Sequence, residues 1–256
     1  MRGMPLLLVR RPSPLLADGE LTHLERTPVD PDLALRQWEG YTQAWRDLGW
    51  MVQEIAPADD QPDGVFVEDP LVVLGEVAVL ASPGAASRRG ELATVAQAIR
   101  ATGLDVRTLD APATLDGGDV LPVGRTLYVG RSSRTNEHGI AGLAAIAEPE
   151  GYTVVPVPVT RVLHLKSAVT ALPDGTVVGF PADVDDPNRF PQFLAMPEAG
   201  AAVVPIDDGR VLMADSVPRS VELLRGRGLD VVTVPITEFE KLEGCVTCLS
   251  VRIPAL

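Results

Sequence analysis

The 256 residues carry 22 Lys and Arg against 35 Asp and Glu, for a formal net charge of −13 and a pI near 4.6, and 46% of them are hydrophobic. That is enough apolar chain for a substantial core in one large domain or two small ones, and the acidity excludes a broad basic face for nucleic acid, of which only Arg10-Arg11 and Arg88-Arg89 give a hint. Two cysteines make no disulfide framework and suit a reducing cytosol, and Leu6-Leu7-Leu8-Val9 is too short for a signal-peptide core or a membrane span. A cytoplasmic location is therefore expected. Aromatic residues are only 4%, so the core has to be built from Val, Leu, Ala and Ile.

Residues 5–9 read as a strand, 32–48 as a helix with apolar residues at Leu33, Trp38, Tyr41, Trp45 and Leu48, and 50–55 as a strand. Strand-like pieces follow at 65–67, 71–74 and 77–81 around the turn Gly75-Glu76. An amphipathic helix over 89–102 presents Leu92, Val95, Ala96 and Ile99 on one face, and 105–109 is a short strand. Strands at 118–122 and 126–129 pair across Gly124-Arg125, before a helix at 136–147 and a strand at 153–157. A fourth unit starts at His164, with strands at 167–172 and 176–180 flanking the tight-turn signal Asp174-Gly175 and a later strand at 201–206. A fifth has a strand at 210–214, a helix at 217–225 and a strand at 230–234. The last strand, near 248–253, has to join an earlier element.

These are five loose repeats with a period of about 50 residues, which suggests a radial or stacked architecture. Alternating strands and helices also suit a doubly wound sheet. Hairpins inside the units count against it, because a parallel sheet needs a crossover between neighbouring strands. The expected fold class is thus α/β with radial repeats, a single domain over residues 1–256. Acidic or reactive residues recur near the first strand of several units: Asp63, Glu68 and Asp69, then Asp116 and Asp119, then His164, then Cys248. Around an axis, such positions converge on one centre. A thiol, an imidazole and carboxylates brought together there are the groups a cysteine-nucleophile enzyme needs.

Each residue alone has a plainer explanation. A lone cysteine in an apolar segment is usually core, and Asp116-Gly117-Gly118-Asp119 is good turn chemistry. Cys245 and Cys248 form a Cys-x-x-Cys pair. A redox pair normally opens a helix, whereas Leu249 to Pro254 read as a strand. A structural zinc site needs about four ligands, and His23, His138 and His164 lack ligand spacing. Cys245 is therefore read as structural.

Six motifs occur in order: Phe66-Val67-Glu68-Asp69, Ser87-Arg88-Arg89, Leu115-Asp116-Gly117-Gly118-Asp119-Val120, Arg134-Thr135-Asn136, Leu163-His164-Leu165-Lys166-Ser167 and Thr247-Cys248-Leu249-Ser250. Together they resemble the dimethylarginine dimethylaminohydrolases of the guanidine-modifying, or pentein, superfamily. The resemblance implies a five-bladed α/β propeller of ββαβ-type units around a central site. It implies Cys248 as nucleophile, His164 as general acid and base, and Asp116 beside the histidine. It implies Asp63 and Asp69 as carboxylates holding the guanidinium, with Glu68 next to them in a less defined role. Arg88 and Arg134 would bind the substrate α-carboxylate. Leu21 would sit in an N-terminal lid, and Leu242 and Glu243 in a loop at the amino-acid end of the pocket, where some relatives have Asp in place of Glu243.

The implied reaction is hydrolysis of asymmetric Nω,Nω-dimethylarginine, and of the monomethyl form, to citrulline through a covalent cysteine thiouronium. No cofactor and no metal is called for. The expected partner is a small-molecule methylated arginine, with neither nucleic acid nor membrane, and a homodimer is compatible with the sequence. Arginine deiminases carry an acidic residue two positions after the histidine, where this chain has Lys166; a lysine accepts no hydrogen bond, which favours a guanidine alkylated on one terminal nitrogen. The alternatives are a deiminase-like hydrolase of another guanidine and a non-catalytic amino-acid-binding propeller.

Overall fold

The computed structural model describes residues 4–255. These form five three-stranded sheets of one design: an antiparallel pair, then a third strand parallel to the middle one. The second sheet is Leu71–Leu74, Val77–Leu80 and Asp105–Thr108; the third is Val120–Val123, Thr126–Arg131 and Thr153–Pro158. The fourth is Val169–Ala171, Val177–Gly179 and Phe193–Ala195; the fifth is Val203–Pro205, Arg210–Ala214 and Asp230–Val234. In the first sheet, Leu6–Val9 and Met51–Glu54 come from the N-terminal part, and the antiparallel partner of Leu6–Val9 is Val251–Ile253. The last strand therefore completes the first unit.

The sheets are arranged in a ring, the α/β propeller expected. Val169–Ala171 packs against both Val120–Val123 and Val203–Pro205, and Val251–Ile253 packs against Leu71–Leu74. A bridge from Ser82 to Leu115 ties the second sheet to the third, and the helix Pro31–Asp47 lies on Asp230–Val234, linking the fifth to the first. The first strands of the five sheets line a central channel of about 870 Å³. The hairpins are tight: Gly75 and Gly124 adopt φ of 62° and 57°, the left-handed region that two-residue loops favour and glycine enters without steric cost.

Helices cover the outside of the ring. Pro31–Asp47 starts where Asp30 accepts hydrogen bonds from the Asp32 and Leu33 amides at 3.0 Å each, with Pro31 in the first turn. It buries Ala34, Trp38, Tyr41 and Trp45 in a cluster with Phe66, Phe239, Leu242 and Leu249. Glu137–Ala147 is capped by Asn136, which accepts from the Gly139 amide at 2.8 Å.

Four details differ from the sequence-based expectation. Residues 65–67 form tight turns, not a strand, because their amides bond locally at the site. The helix expected from 89 is a 3-10 segment, Ala86–Glu91, before the α-helix Leu92–Arg100, because Arg88 and Glu91 are drawn inward into an ion pair. The strand expected from 167 is preceded by a helical turn, Leu165–Ala168. The strand expected at 201–206 belongs to the fifth sheet, and the fourth is completed by Phe193–Ala195, which sequence reasoning missed. In the crossover before that strand, Phe190 packs edge-on to Tyr128 at 5.0 Å and stacks with Phe193 at 6.3 Å, supplying apolar cover where other units have a helix. Arg10 and Arg88 are both buried, so neither arginine pair builds a basic face.

Tyr41 connects the first helix to the segment carrying Cys248. Its hydroxyl donates to the Val246 carbonyl at 3.0 Å and lies 2.7 Å from the Ser250 hydroxyl. Tyr41→Phe strands two buried polar groups, and a loss of about 1–3 kcal/mol is expected in urea unfolding. An unchanged midpoint would show that this link is slack.

Candidate active site

Cys248 lies in a turn whose amide donates to the Cys245 carbonyl at 3.1 Å. The turn is anchored on the second unit, where the Glu68 amide donates to the Cys248 carbonyl at 3.3 Å and the Thr247 hydroxyl to Glu68 Oε2 at 2.7 Å. The side chains then alternate. Glu68, Lys166 and Thr247 face the central channel, with Lys166 Nζ 2.6 Å from Glu68 Oε1. Asp69, His164 and Cys248 face a separate cleft, also lined by Glu20, Asp63, Phe66, Arg88, Arg134, Leu163, Leu242, Glu243 and Gly244.

His164 is buried between carboxylates. Its Nε2 is 3.0 Å from Asp116 Oδ2 and its Nδ1 is 3.7 Å from Asp69 Oδ1. Asp116 lies behind the imidazole, fully buried, with its other oxygen accepting from the Gly84 amide at 2.9 Å. Asp119 sets the backbone: one oxygen accepts from the Leu165 amide at 2.9 Å, the other from the hydroxyls of Ser132 and Thr135 at 2.6 and 2.7 Å. The two glycines of this motif do more than turn the chain. A Cβ on Gly118 would sit 2.7 Å from both Asp69 Oδ1 and His164 Nδ1, and one on Gly117 would sit 2.1 Å from the Glu68 carbonyl.

Burial opposes a charge on His164, but Asp69, Asp116 and Asp119 outweigh it and raise its pKa to about 9. At neutral pH the ring is an imidazolium. Burial likewise opposes ionisation of Asp69, yet His164 and Arg88 hold its carboxyl below the usual range. The Cys248 thiol is pushed well up by its hydrogen bond with the Cys245 sulfur, by burial, and by Glu68 and Asp69. The site thus rests as a neutral thiol beside a cationic histidine.

Arg88 is buried and almost fully engaged. It bonds Glu91 through Nε and Nη2 at 2.8 Å each, Asp69 through Nη1, and the carbonyls of Asp63 and Phe66 at 3.2 and 3.1 Å. Arg134 is freer: Nη2 donates to Glu20 Oε2 at 3.0 Å and Nη1 is 3.8 Å from Asp116. The Ser87 hydroxyl also donates to Glu20, and the Glu20 amide donates to Asp63 Oδ2 at 3.1 Å. Glu243, at φ 60°, accepts from the consecutive amides of Thr22, His23 and Leu24. It therefore ties the segment after Glu20 across the cleft, while Leu21 packs on the apolar cluster beside it. Asp69, Asp116 and His164 also bring ligand-type atoms within 4.8 Å of one another. Within this group Asp69 Oδ2 accepts from Arg88 and Asp116 Oδ2 pairs with the imidazole.

Sequence reasoning missed Glu20, Glu91 and the clamping role of Asp119. Glu91 had a readable signal, an acid three residues from Arg88 at helical spacing. Glu20 had none. Lys166 needs a correction: its amine is on Glu68 at the channel, so it does not touch the cleft, and the selectivity argued from it has no contact to act through.

A model of the eukaryotic N,N-dimethylarginine dimethylhydrolase family matches residues 25–172. An N(G),N(G)-dimethylarginine dimethylaminohydrolase of Streptomyces coelicolor is 56% identical over 97% of each chain, and one of Pseudomonas aeruginosa is 32% identical over 96% of this chain and 98% of the other. A cysteine-to-serine variant of the Pseudomonas aeruginosa enzyme complexed with citrulline superposes with a TM-score of 0.90 at 31% identity, covering 98% of this chain and 100% of that one. A histidine-to-glycine dimethylarginine dimethylaminohydrolase as an adduct with S-methyl-L-thiocitrulline gives 0.89 at 30%, with the same coverage. Identity of this extent over nearly the whole chain is decisive: the protein belongs to the dimethylarginine dimethylaminohydrolase family.

Proposed function

We propose that this chain hydrolyses asymmetric Nω,Nω-dimethylarginine, and its monomethyl counterpart, to citrulline and the methylamine through a covalent adduct on Cys248. The observation that carries this is the cleft itself, where a buried thiol and a cationic histidine share walls with two carboxylates, Asp63 and Asp69, and two arginines, Arg88 and Arg134. Carboxylates suit a guanidinium, and Arg134, the less engaged of the two arginines, suits an α-carboxylate, whereas the donors of Arg88 are already spent on Glu91, Asp69 and two carbonyls. Relatives trapped with citrulline or a thiocitrulline adduct support the same chemistry.

A guanidinium bound by Asp63 and Asp69 brings a positive charge next to Cys248. It offsets the carboxylates that hold the thiol neutral, and the thiol proton passes to solvent as substrate binds, because His164 is already protonated. The thiolate attacks the central carbon from about 3–3.5 Å. The resulting tetrahedral adduct breaks its bond to the dimethylamino nitrogen as the His164 imidazolium donates its proton to that nitrogen. Neutral His164 then takes a proton from water attacking the thiouronium carbon. The C–S bond breaks with Cys248 leaving as thiolate, the adduct's remaining hydroxyl proton returns to that sulfur, and citrulline leaves. Asp116 holds the ring throughout and favours its charged form.

Opening of the cleft is part of this cycle. Its free space is about 20 Å³, little more than one water needs, whereas ligand pockets run to roughly 300 Å³ or more. Glu20 sets its carboxylate on Arg134, where the substrate's own carboxylate is proposed to bind, so the two exchange when the segment around Leu21 lifts.

Three outcomes follow. Cys248→Ser should fold and release no citrulline, while the wild type should form citrulline and dimethylamine from dimethylarginine; ammonia from arginine in the parallel assay would make the chain a deiminase. Glu20→Ala should lower KM several-fold with kcat little changed, and Arg134→Ala should raise KM more than it lowers kcat; an unmoved KM in either would sink the exchange. By NMR, His164 should titrate with a midpoint of about 9. Its pKa is raised on folding, so its stabilisation is present below 6.5 and is lost as pH rises through about 9, on the order of 3 kcal/mol. His164→Asn should show no such loss in unfolding measured across that window.

A further inference from the structure

The proposed hydrolysis leaves one buried nucleophilic group unused, the Cys245 thiol. Its sulfur lies 3.5 Å from that of Cys248, and both cysteines are free. An S–S bond is ~2.05 Å long, so closing the gap takes a shift of about 1.5 Å. The backbone permits it. The Cys248 amide bonds the Cys245 carbonyl at 3.1 Å, a four-residue turn whose end Cα atoms are less than about 7 Å apart, the span a disulfide bridges.

Both cysteines are buried, and the two sulfurs differ in what they face. Cys248 faces the cleft, while Cys245 sits behind it, 3.3 Å from the Thr247 hydroxyl and 4.0 Å from the Lys166 carbonyl. A small solute that enters the cleft meets Cys248 first. Cys245 also belongs to the apolar cluster under the first helix. Packing alone asks only for a small side chain there, not for a second sulfur against the nucleophile.

We propose that Cys245 is a resolving thiol that captures oxidised Cys248 as an intramolecular disulfide, so that a hydroperoxide switches the enzyme off reversibly. Cys248 reacts through the fraction of it that has lost its proton: the thiolate attacks the distal peroxide oxygen, the O–O bond breaks, an S–O bond forms, and the departing hydroxide (or alkoxide, from an organic hydroperoxide) takes up a proton equivalent to the one the thiol released and leaves as water or an alcohol. Cys245 then attacks the sulfenic sulfur. The S–S bond forms, the S–O bond breaks, and the departing hydroxide takes the Cys245 proton as a second water. Two thiols lose two electrons and the peroxide gains them. Without Cys245 the sulfenic acid is open to further oxidation to sulfinic acid, which thiols do not reverse. With it, a dithiol restores both cysteines by exchange. A ligand filling the cleft covers Cys248 and slows the first step.

The loss of activity rests on Cys248 as nucleophile; the bond itself does not. The test therefore uses two readouts on the reduced full chain treated with hydrogen peroxide, with and without citrulline. One is the mass of the peptide bearing both cysteines, kept unreduced; the other is citrulline formation before and after dithiothreitol. The wild type should lose the mass of two hydrogens, lose turnover, and regain most of it with dithiothreitol, with citrulline slowing all three. Cys245→Ser and Cys245→Ala should give no such species, should accumulate Cys248 sulfinic acid, and should stay inactive after dithiothreitol. A wild-type peptide that gains oxygen at Cys248 without losing two hydrogens, or stays unmodified, overturns the proposal. So does a Cys245 variant that recovers as fully as the wild type. If both variants fail to fold, the wild-type masses still decide. If dimethylarginine is not turned over at all, the mass readout still decides the disulfide, and the functional reading fails separately.

Discussion

The site depends on one buried contact, the guanidinium of Arg88 held between Asp69 and Glu91. Asp69, Asp116 and Asp119 are all buried around one imidazole, with Asp63 buried in the same cleft, and unpaired charges in such a place carry a heavy desolvation cost. Arg88 neutralises part of that charge, and His164 neutralises more by staying protonated. Arg10 supports the arrangement from the first strand, its guanidinium bonding the Gly64 and Glu91 carbonyls at 2.8 and 3.2 Å. The compensation is incomplete around Cys248, which therefore stays a thiol. In the proposed reaction that shortfall gives a cationic substrate its role, because its charge would complete the balance and ionise Cys248.

The ring explains how so few residues achieve this. Four of the five units deliver a reactive segment just before the edge strand of their antiparallel pair, so the segments meet at one end of the channel. Neighbouring residues then divide between two sides: Glu68 and Lys166 pair toward the channel, while Asp69 and His164 face the cleft. The fifth unit differs. Ala201 and Ala202 precede its first strand, and it brings no ionisable side chain to the cleft. Close approach is the second requirement. Gly117 and Gly118 let the third unit's backbone touch the second and fourth: a side chain at Gly118 would displace Asp69 or His164, and one at Gly117 would collide with the Glu68 backbone.

Much of the fold was legible in the sequence, because hydrophobic period, turn glycines and caps act locally. Asp30 with Pro31 marks a helix start, and Gly75 and Gly124 mark hairpins, whatever the rest of the chain does. The local rules failed where the site overrides them. Residues 65–67 have strand composition but spend their backbone bonds on site turns, and Arg88 with Glu91 delays a helix that periodicity starts earlier. Phe193–Ala195 escaped notice because its unit packs aromatic rings in place of the helix that announces such a strand elsewhere.

For the site, the sequence by itself determined the inventory: Cys248, His164 and Asp116, the flanking carboxylates, and the arginines, each in a motif that can be read without coordinates. Only the tertiary structure decided their orientation, because side-chain direction depends on packing between segments far apart in the chain. It turned Lys166 and Glu68 toward the channel, set Glu20 on Arg134, made Glu243 a tie for the segment after Glu20, and brought the Cys245 sulfur against that of Cys248. It also decided the charges. The imidazolium at His164 and the neutral thiol at Cys248 arise from burial and from carboxylates on other units, which no local stretch of sequence contains.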